Sequence, residues 1–432
     1  MIAKLLSFSV RARWAVLFVV LGISVLGAWQ LTKLPIDAVP DITNKQVQIN
    51  TSDPSLSPIE IEKRVTFPVE TALAGIPGLE TTRSISRNGF SQVTAVFKEN
   101  VDLYFARQQV NERLAQARDS LPEGVQPQIG PVTTGLGEVF MYAIDFAHPG
   151  GRGAKIQDGK PGWQSDGAFL TPDGARLTDD VSRAAYLRTV QDWIISPQLR
   201  GVPGVAGIDT IGGFEKQYVV EPDPVKLAAY GVSFSELAKA LEAANLSVGA
   251  NFVERAGEAY LVRADARIRS IDEIANAIIA TRGGVAVAVK DVAAVKLGGE
   301  LRTGAASMNG HEVVIGTSLM LIGENSRTVA KAVGDKLAQV EKSLPPGIIV
   351  TPTLDRSKLV NATVATVERN LLEGAILVAA ALFLLLGNVR AALIAVLIIP
   401  FSFLMTAFGL IGLKVSVNLM SLGALDFGLI VD

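Results

Sequence analysis

The sequence predicts an α+β membrane protein. Transmembrane helices flank two ferredoxin-like (split βαβ) subdomains, the second of which carries an inserted small α+β subdomain. Three observations predict this. Hydrophobic residues make up 49% of the 432 while charged residues make up only 19%, and the apolar excess gathers at the two ends of the chain, as membrane spans around a water-soluble middle would. The middle repeats itself, helix, Pro-Gly turn and strand pair recurring in the same order. Each copy reads strand, helix, strand, strand, helix, strand.

The first span is the apolar run 14–31, which at 1.5 Å per residue approaches the ~30 Å hydrocarbon core. Lys4, Arg11 and Arg13 precede it, so the N-terminus is expected in the cytoplasm. No small-residue cleavage site follows; the run leads into Pro35 and Pro40 instead, which favours a retained helix over a signal peptide. A second apolar stretch, 371–387, is joined to a third, 391–413, only by Asn388, Val389 and Arg390. So short a link forces an antiparallel pair, with Arg390 on the cytoplasmic side and Lys414 on the other. A fourth stretch begins near Val415 and is still in progress at Asp432, so the chain reads as an N-terminal fragment.

Between the first and second spans the repeat organises the chain. A helical segment, 57–74, is followed by Ile76-Pro77-Gly78-Leu79 and a strand pair broken at Asn88-Gly89-Phe90. A second, 180–199, is followed by Val202-Pro203-Gly204-Val205 and a break at Gly212-Gly213-Phe214. Later helices, 102–120 and 325–343, end in Leu121-Pro122-Glu123-Gly124 and Leu344-Pro345-Pro346-Gly347. The expected division is 1–33 for the N-terminus and first span, 34–130 for the first unit, 131–215 with 271–353 for the second, 216–270 for the insertion, and 354–432 for a connector and the remaining spans. The stretch 147–178, rich in Gly, Pro and Asp, is expected to be an exposed loop.

Composition excludes several functions. A formal charge of -2 offers no basic field for nucleic acid. With no cysteine and only two histidines, His148 and His311, disulfides, thiolate zinc sites, iron-sulfur clusters and cysteine nucleophiles are ruled out. No cofactor is expected. Both histidines sit beside turn signals, Pro-Gly and Asn-Gly, and read as loop residues.

The arrangement resembles one half of an exporter of the resistance-nodulation-division superfamily, and most closely its heavy-metal efflux branch of cobalt-zinc-cadmium and nickel-cobalt type. The resemblance rests on Leu34-Pro35-Ile36-Asp37-Ala38-Val39-Pro40-Asp41, Phe105-Ala106-Arg107-Gln108, Gly135-Leu136-Gly137-Glu138, the stretch 186–197, and Asn418-Leu419-Met420-Ser421-Leu422-Gly423-Ala424-Leu425-Asp426-Phe427-Gly428. The Gly162-Trp163-Gln164-Ser165-Asp166-Gly167 loop looks more like the nickel-cobalt subgroup. Such membership implies a homotrimer in the bacterial inner membrane, with a large periplasmic region. It also implies a periplasmic adaptor and an outer-membrane channel as partners, and export of divalent metal ions in exchange for protons. It implies a secondary transporter driven by proton motive force and not an enzyme.

Asp426 and Asp432 are the sharpest functional signal, because a charged side chain at a helix centre costs about 2.5–3.5 kcal/mol on insertion scales. A spacing of six places them about 120° and about 9 Å apart, which suits successive proton stations better than a paired dyad. The metal branch has an acid at both positions, so the resemblance supports the relay. Glu138 precedes a strand-like run and follows two glycines; it is either a strand-end carboxylate in water or an oxygen ligand for a transient divalent ion. The resemblance at that stretch favours the ligand. The connector, 355–370, is expected to couple the second unit to the membrane part.

Two other readings compete. A sensory receptor would continue into a cytoplasmic signalling region, whereas this chain turns back after three residues. A multidrug exporter of the same superfamily would have two adjacent acids, so the residue after Asp432 discriminates.

Overall fold

The computed structural model describes residues 8–31, 36–37, 43–265, 267–268, 270–299, 304–412 and 417–418. The fold is mixed α+β. Helix α1 spans Arg13–Leu31. The first unit follows as strand β1 (Gln46–Ser52), helix α2 (Pro58–Ile61, a π turn Glu62–Thr66, then Phe67–Leu73), strands β2 (Leu79–Arg87) and β3 (Phe90–Phe97), helix α3 (Leu103–Ala117) and strand β4 (Gln128–Ile129). Its antiparallel sheet has the order β2-β3-β1-β4.

Local chemistry sets these elements. Strand β1 buries alternate residues, Val47, Ile49 and Thr51, the period of two that a covered sheet face demands. Ser57 and Glu60 form a reciprocal capping box at the start of α2, with Pro58 in the first turn. Pro68 then presents a problem inside the helix, because it has no N–H and its ring crowds the preceding turn. A π turn relieves it: the Phe67 N–H reaches back to the Glu62 carbonyl. Helix α3 is capped by Asp102, whose carboxylate accepts from the Phe105 N–H at 2.9 Å. It buries Ala106, Val110, Leu114 and Ala117, one face of a 3.6-residue period. That face packs with Val47, Ile49, Val93 and Phe97.

The second unit repeats the plan with strand β5 (Glu138–Phe146), helix α4 (Asp180–Val190, a π turn Gln191–Ile195, then Ser196–Arg200), strands β6 (Val205–Ile211) and β7 (His311–Met320), helix α5 (Ser326–Glu341) and strand β8 (Ile348–Asp355). Its sheet has the corresponding order β6-β7-β5-β8. The repeat extends to the irregularity: Pro197 again follows a π turn, in which the Ser196 N–H bonds the Gln191 carbonyl. Where Asn88 and Gly89 turn β2 directly into β3, Gly212 and Gly213 send the chain out into an insertion. Gly213 has φ +67, and a Cβ there would stand 2.9 Å from the Ala184 carbonyl oxygen and from Arg188 Cβ. Only glycine fits that exit.

The insertion is longer than its composition suggested. Strand Lys216–Pro222 pairs along its whole length with Ala293–Gly299. Leu227 and Leu237 share one core with Ile274, Val287, Val289 and Val292. Residues 271–299, expected in the second unit, therefore pack with the insertion, because their apolar side chains face its helices. Helix Phe234–Ala244 begins at a Ser233–Glu236 capping box, and a hairpin, Ser247–Arg255 with Glu258–Asp265, extends from the same body.

The stretch 147–178 also differs from expectation. Three two-residue strands, Gly162–Trp163, Phe169–Leu170 and Arg176–Leu177, pair in that order. They carry Trp163, Phe169 and Leu177 into the core of the second unit. Phe169 meets Phe146 edge-on at 4.8 Å between centroids and Trp163 at 5.4 Å. The polar composition hid three anchors spaced too irregularly to register as a period.

Beyond β8, the Asp355 carboxylate caps helix α6 (Arg356–Leu386), so the expected connector and the apolar stretch after it form one continuous helix of 31 residues. Gly387 ends it in the left-handed region at φ 57. Asn388 then accepts from the N–H groups of Arg390 and Ala391 and starts α7 (Val389–Gly412). Gly27 of α1 lies directly against the Leu404 backbone of α7. Counting only described side chains, no helix is long and apolar enough to cross a membrane; the backbones of α1, α6 and α7 run for 19, 31 and 24 residues.

Candidate functional site

Asp426 and Asp432 lie outside the described residues. Glu138 opens β5 with its side chain exposed, opposite Leu319 and beside a register shift in the β5–β7 pairing. The glycines before it shape the link between the units: the Gly137 carbonyl accepts from the Met320 N–H at 2.7 Å, and the Val132 carbonyl from the Ile322 N–H at 3.1 Å. The guanidinium of Arg356, first residue of α6, donates to the Leu136 carbonyl and, at 3.5 Å, to that of Glu138. The candidate ligand thus stands at the start of a strand tied to the head of the helix that leads toward the second apolar stretch. Among the described residues no group of three or more His, Cys, Asp or Glu is placed to hold a metal ion.

The histidines separate. His148 is exposed beside the turn Pro149–Gly151, as expected. His311 is not a loop residue: it opens β7, is half-buried, and bonds Asp145 through Nε2 to Oδ2 at 2.5 Å. The Asp145 side chain is only 6% exposed. Its other oxygen accepts from the Phe146 N–H at 2.7 Å. An acid within the apolar run of β5 was the signal that could have marked this position, since a buried carboxylate needs a partner. The partner's identity could not be read locally.

A second polar cluster lies where the insertion leaves. The Tyr142 hydroxyl donates to Gln191 Oε1 at 3.0 Å, Gln191 Nε2 donates to Thr210 Oγ1 at 3.3 Å, and the Thr210 hydroxyl donates to Asp192 Oδ1 at 3.0 Å. Arg188 closes the chain through Asp192 at 2.6 Å and the Gly212 carbonyl at 3.2 Å. Burial pushes the Tyr142 phenol well above its ordinary pKa, so it stays a neutral donor. This arrangement braces the first residue of the π turn against the glycine exit. It has no exposed nucleophile or base, and its chemistry is structural.

The description of the AcrB/AcrD/AcrF family matches residues 5–432. The chain belongs to that family. Family members similar to it include the nickel-cobalt-cadmium resistance protein NccA of Alcaligenes xylosoxydans xylosoxydans and the nickel and cobalt resistance protein CnrA of Cupriavidus metallidurans, each 66% identical over 432 residues. The cobalt-zinc-cadmium resistance protein CzcA of Cupriavidus metallidurans is 51% identical over the same length. A solved heavy metal efflux pump superposes on 99% of this chain with a TM-score of 0.82 at 31% identity. The chain spans 40% of NccA and CnrA, 38% of CzcA and 40% of the solved pump chain.

Proposed function

We propose that the whole protein is an inner-membrane antiporter that exports divalent heavy-metal ions, nickel or cobalt foremost, in exchange for protons. The observation that carries this reading is the 66% identity, over every residue of the chain, to two relatives named for nickel and cobalt resistance. Helices α1, α6 and α7 are its membrane part. The sequences of α1, α7 and the second half of α6 are apolar, and Phe18, Leu21, Val25, Leu377, Leu384, Leu385, Ile394 and Leu397 expose side chains that lipid would cover. The two repeated sheets are split βαβ units on the periplasmic side, a reading supported by their matching strand orders. The insertion within the second unit spans 216–299, as its shared core supports. The working assembly is a homotrimer with a periplasmic adaptor and an outer-membrane channel. Glu138 is a ligand on the ion's path, and Asp426 and Asp432 carry protons as stations in series.

An Asp to Asn change keeps shape and hydrogen-bonding capacity while removing the titrating group. In the full-length protein, reconstituted with an imposed pH gradient, Asp426→Asn and Asp432→Asn should each abolish nickel transport and leave trimer formation intact. The double variant should be little worse than either single one. Transport at the parent rate in both single variants would sink the relay, and a parent without proton-driven metal transport would sink the antiporter.

A further inference from the structure

The same turn of the repeat carries complementary side chains in the two units. Aligning the π turns on the prolines that follow them, Pro68 and Pro197, sets Glu62–Thr66 against Gln191–Ile195 and Arg64 against Trp193. In the second unit Trp193 is 80% exposed. The turn beneath it is firmly held: Gln191 is fully buried and bonded to Tyr142, and Asp192 bonds Thr210 and Arg188. A rigid base under an exposed indole is what a contact anchor needs. Arg188, the cation nearest in sequence, is committed to Asp192 and to the Gly212 carbonyl, and among the described residues no cation lies over the Trp193 ring. In the first unit Lys63 and Arg64 are both exposed, with exposed Phe67 beside them. Among the described residues neither cation makes an ion pair. Glu60, the acid near Arg64, is bonded through its carboxylate to Ser57 at 2.8 and 3.0 Å.

We propose that Trp193 of one copy of the protein seats on Arg64 and Lys63 of the next copy, joining second unit to first around the trimer. This rests on the homotrimer reading and names the surfaces by which its copies meet. A threefold ring is built from heterologous contacts, because a patch that met itself on a second copy would close the assembly at two. Each copy must therefore present two different surfaces that complement one another. Trp193 and the Arg64 patch meet that need. The indole face attracts a guanidinium or an ammonium, and does so more strongly once water is expelled. Exposed Phe67, three residues beyond Arg64, and exposed Pro197, four beyond Trp193, supply the apolar rim that excludes that water.

The test uses the full-length protein in its membrane. Residues 1–432 contain no cysteine, so Arg64→Cys and Trp193→Cys forms carrying different tags are co-expressed and treated with a short bismaleimide. A product that joins the two tags is expected in the mixture, with no dimer above the parent's level from either form alone. A dimer of Trp193→Cys with itself would overturn the proposal, because the indole would then face its own copy. Both side chains are exposed, so their removal disturbs no core. Measured by sedimentation in detergent, Trp193→Ala and Arg64→Ala should each weaken trimer association at least about fivefold. Arg64→Lys and Trp193→Phe should recover part of that loss, and the double alanine variant should be little worse than either single one. A trimer unchanged by both alanine variants would overturn the pairing, as would an intact trimer that loses its adaptor in Trp193→Ala. A monomeric parent would overturn the homotrimer reading and the pairing together; a trimeric parent without the mixed product would overturn the pairing alone.

Discussion

The two repeated units share a strand order, a capped first helix and a π turn before a proline, yet they hold themselves together differently. The first unit joins β2 to β3 through a tight turn at Gly89 and closes its core with its own strands and helices. Its π turn ends at buried Thr66, whose hydroxyl lies 2.7 Å from those of Ser86 and Ser91. The second unit opens the equivalent turn to release the insertion, and its core recruits Trp163, Phe169 and Leu177 from the long stretch between β5 and α4. Its π turn begins at Gln191, fully buried and joined to Tyr142 and Thr210. The repeated α+β frame thus accepts long excursions at its strand ends, where the sheet's own hydrogen bonds are already complete. The excursions then become part of what stabilises it.

Removing the borrowed anchor should break the comparison most visibly. Phe169→Ala deletes a side chain with no exposure among Phe146, Trp163 and Tyr186, and should cost the second unit about 3–5 kcal/mol. Hydrogen exchange followed by mass spectrometry should show lost protection in peptides of β5 and β7 and unchanged protection in β1 and β3. Equal loss in both units would mean that they unfold as one body.

A middle-sized effect is expected at the π turn. Gln191→Leu strands the buried Tyr142 hydroxyl and should cost about 1–3 kcal/mol. Adding Tyr142→Phe should recover a good part of that, because the orphaned donor is then gone. A double variant as weak as the sum of the two single ones would show that the amide packs and does not serve as a hydrogen-bond partner.

The smallest effect is a pH dependence at the start of α4. Asp179 caps α4, and the Ser182 N–H holds its carboxyl below the ordinary carboxylate range. Asp179→Ala should cost about 1 kcal/mol near neutrality. A folded-state pKa below the unfolded one means that the cap's contribution is present above the ordinary range and is lost as pH falls through the depressed value. The parent and the variant should therefore converge in acid by the same exchange measurement; at the start of α2 the corresponding titrating group is Glu60, whose carboxyl the Ser57 N–H holds below its ordinary range.

Much of this molecule is decided within short windows of sequence. The caps at Ser57, Asp102, Ser233 and Asn325 need only a side chain that reaches an N–H two or three residues ahead. The period of two in β1 and the left-handed glycine at Gly387 are equally local. So are the two units, the presence of an insertion in the second and the apolar helices, because each is written in spacing. The site was legible only in part. Glu138 could be placed at a strand start, but whether other ligands join it depends on which chain segments fold beside it. The Asp145–His311 pair joins residues 166 apart in sequence, and no periodicity links them. The same holds for residues 271–299, drawn into the insertion by an apolar face that only the folded neighbour supplies, and for Trp163 and Phe169, whose polar surroundings disguised them. Local hydrogen bonding and periodicity are properties of the chain's own geometry. The burial partner of a side chain is a property of the surface that the rest of the fold brings to it, and that is decided only in three dimensions.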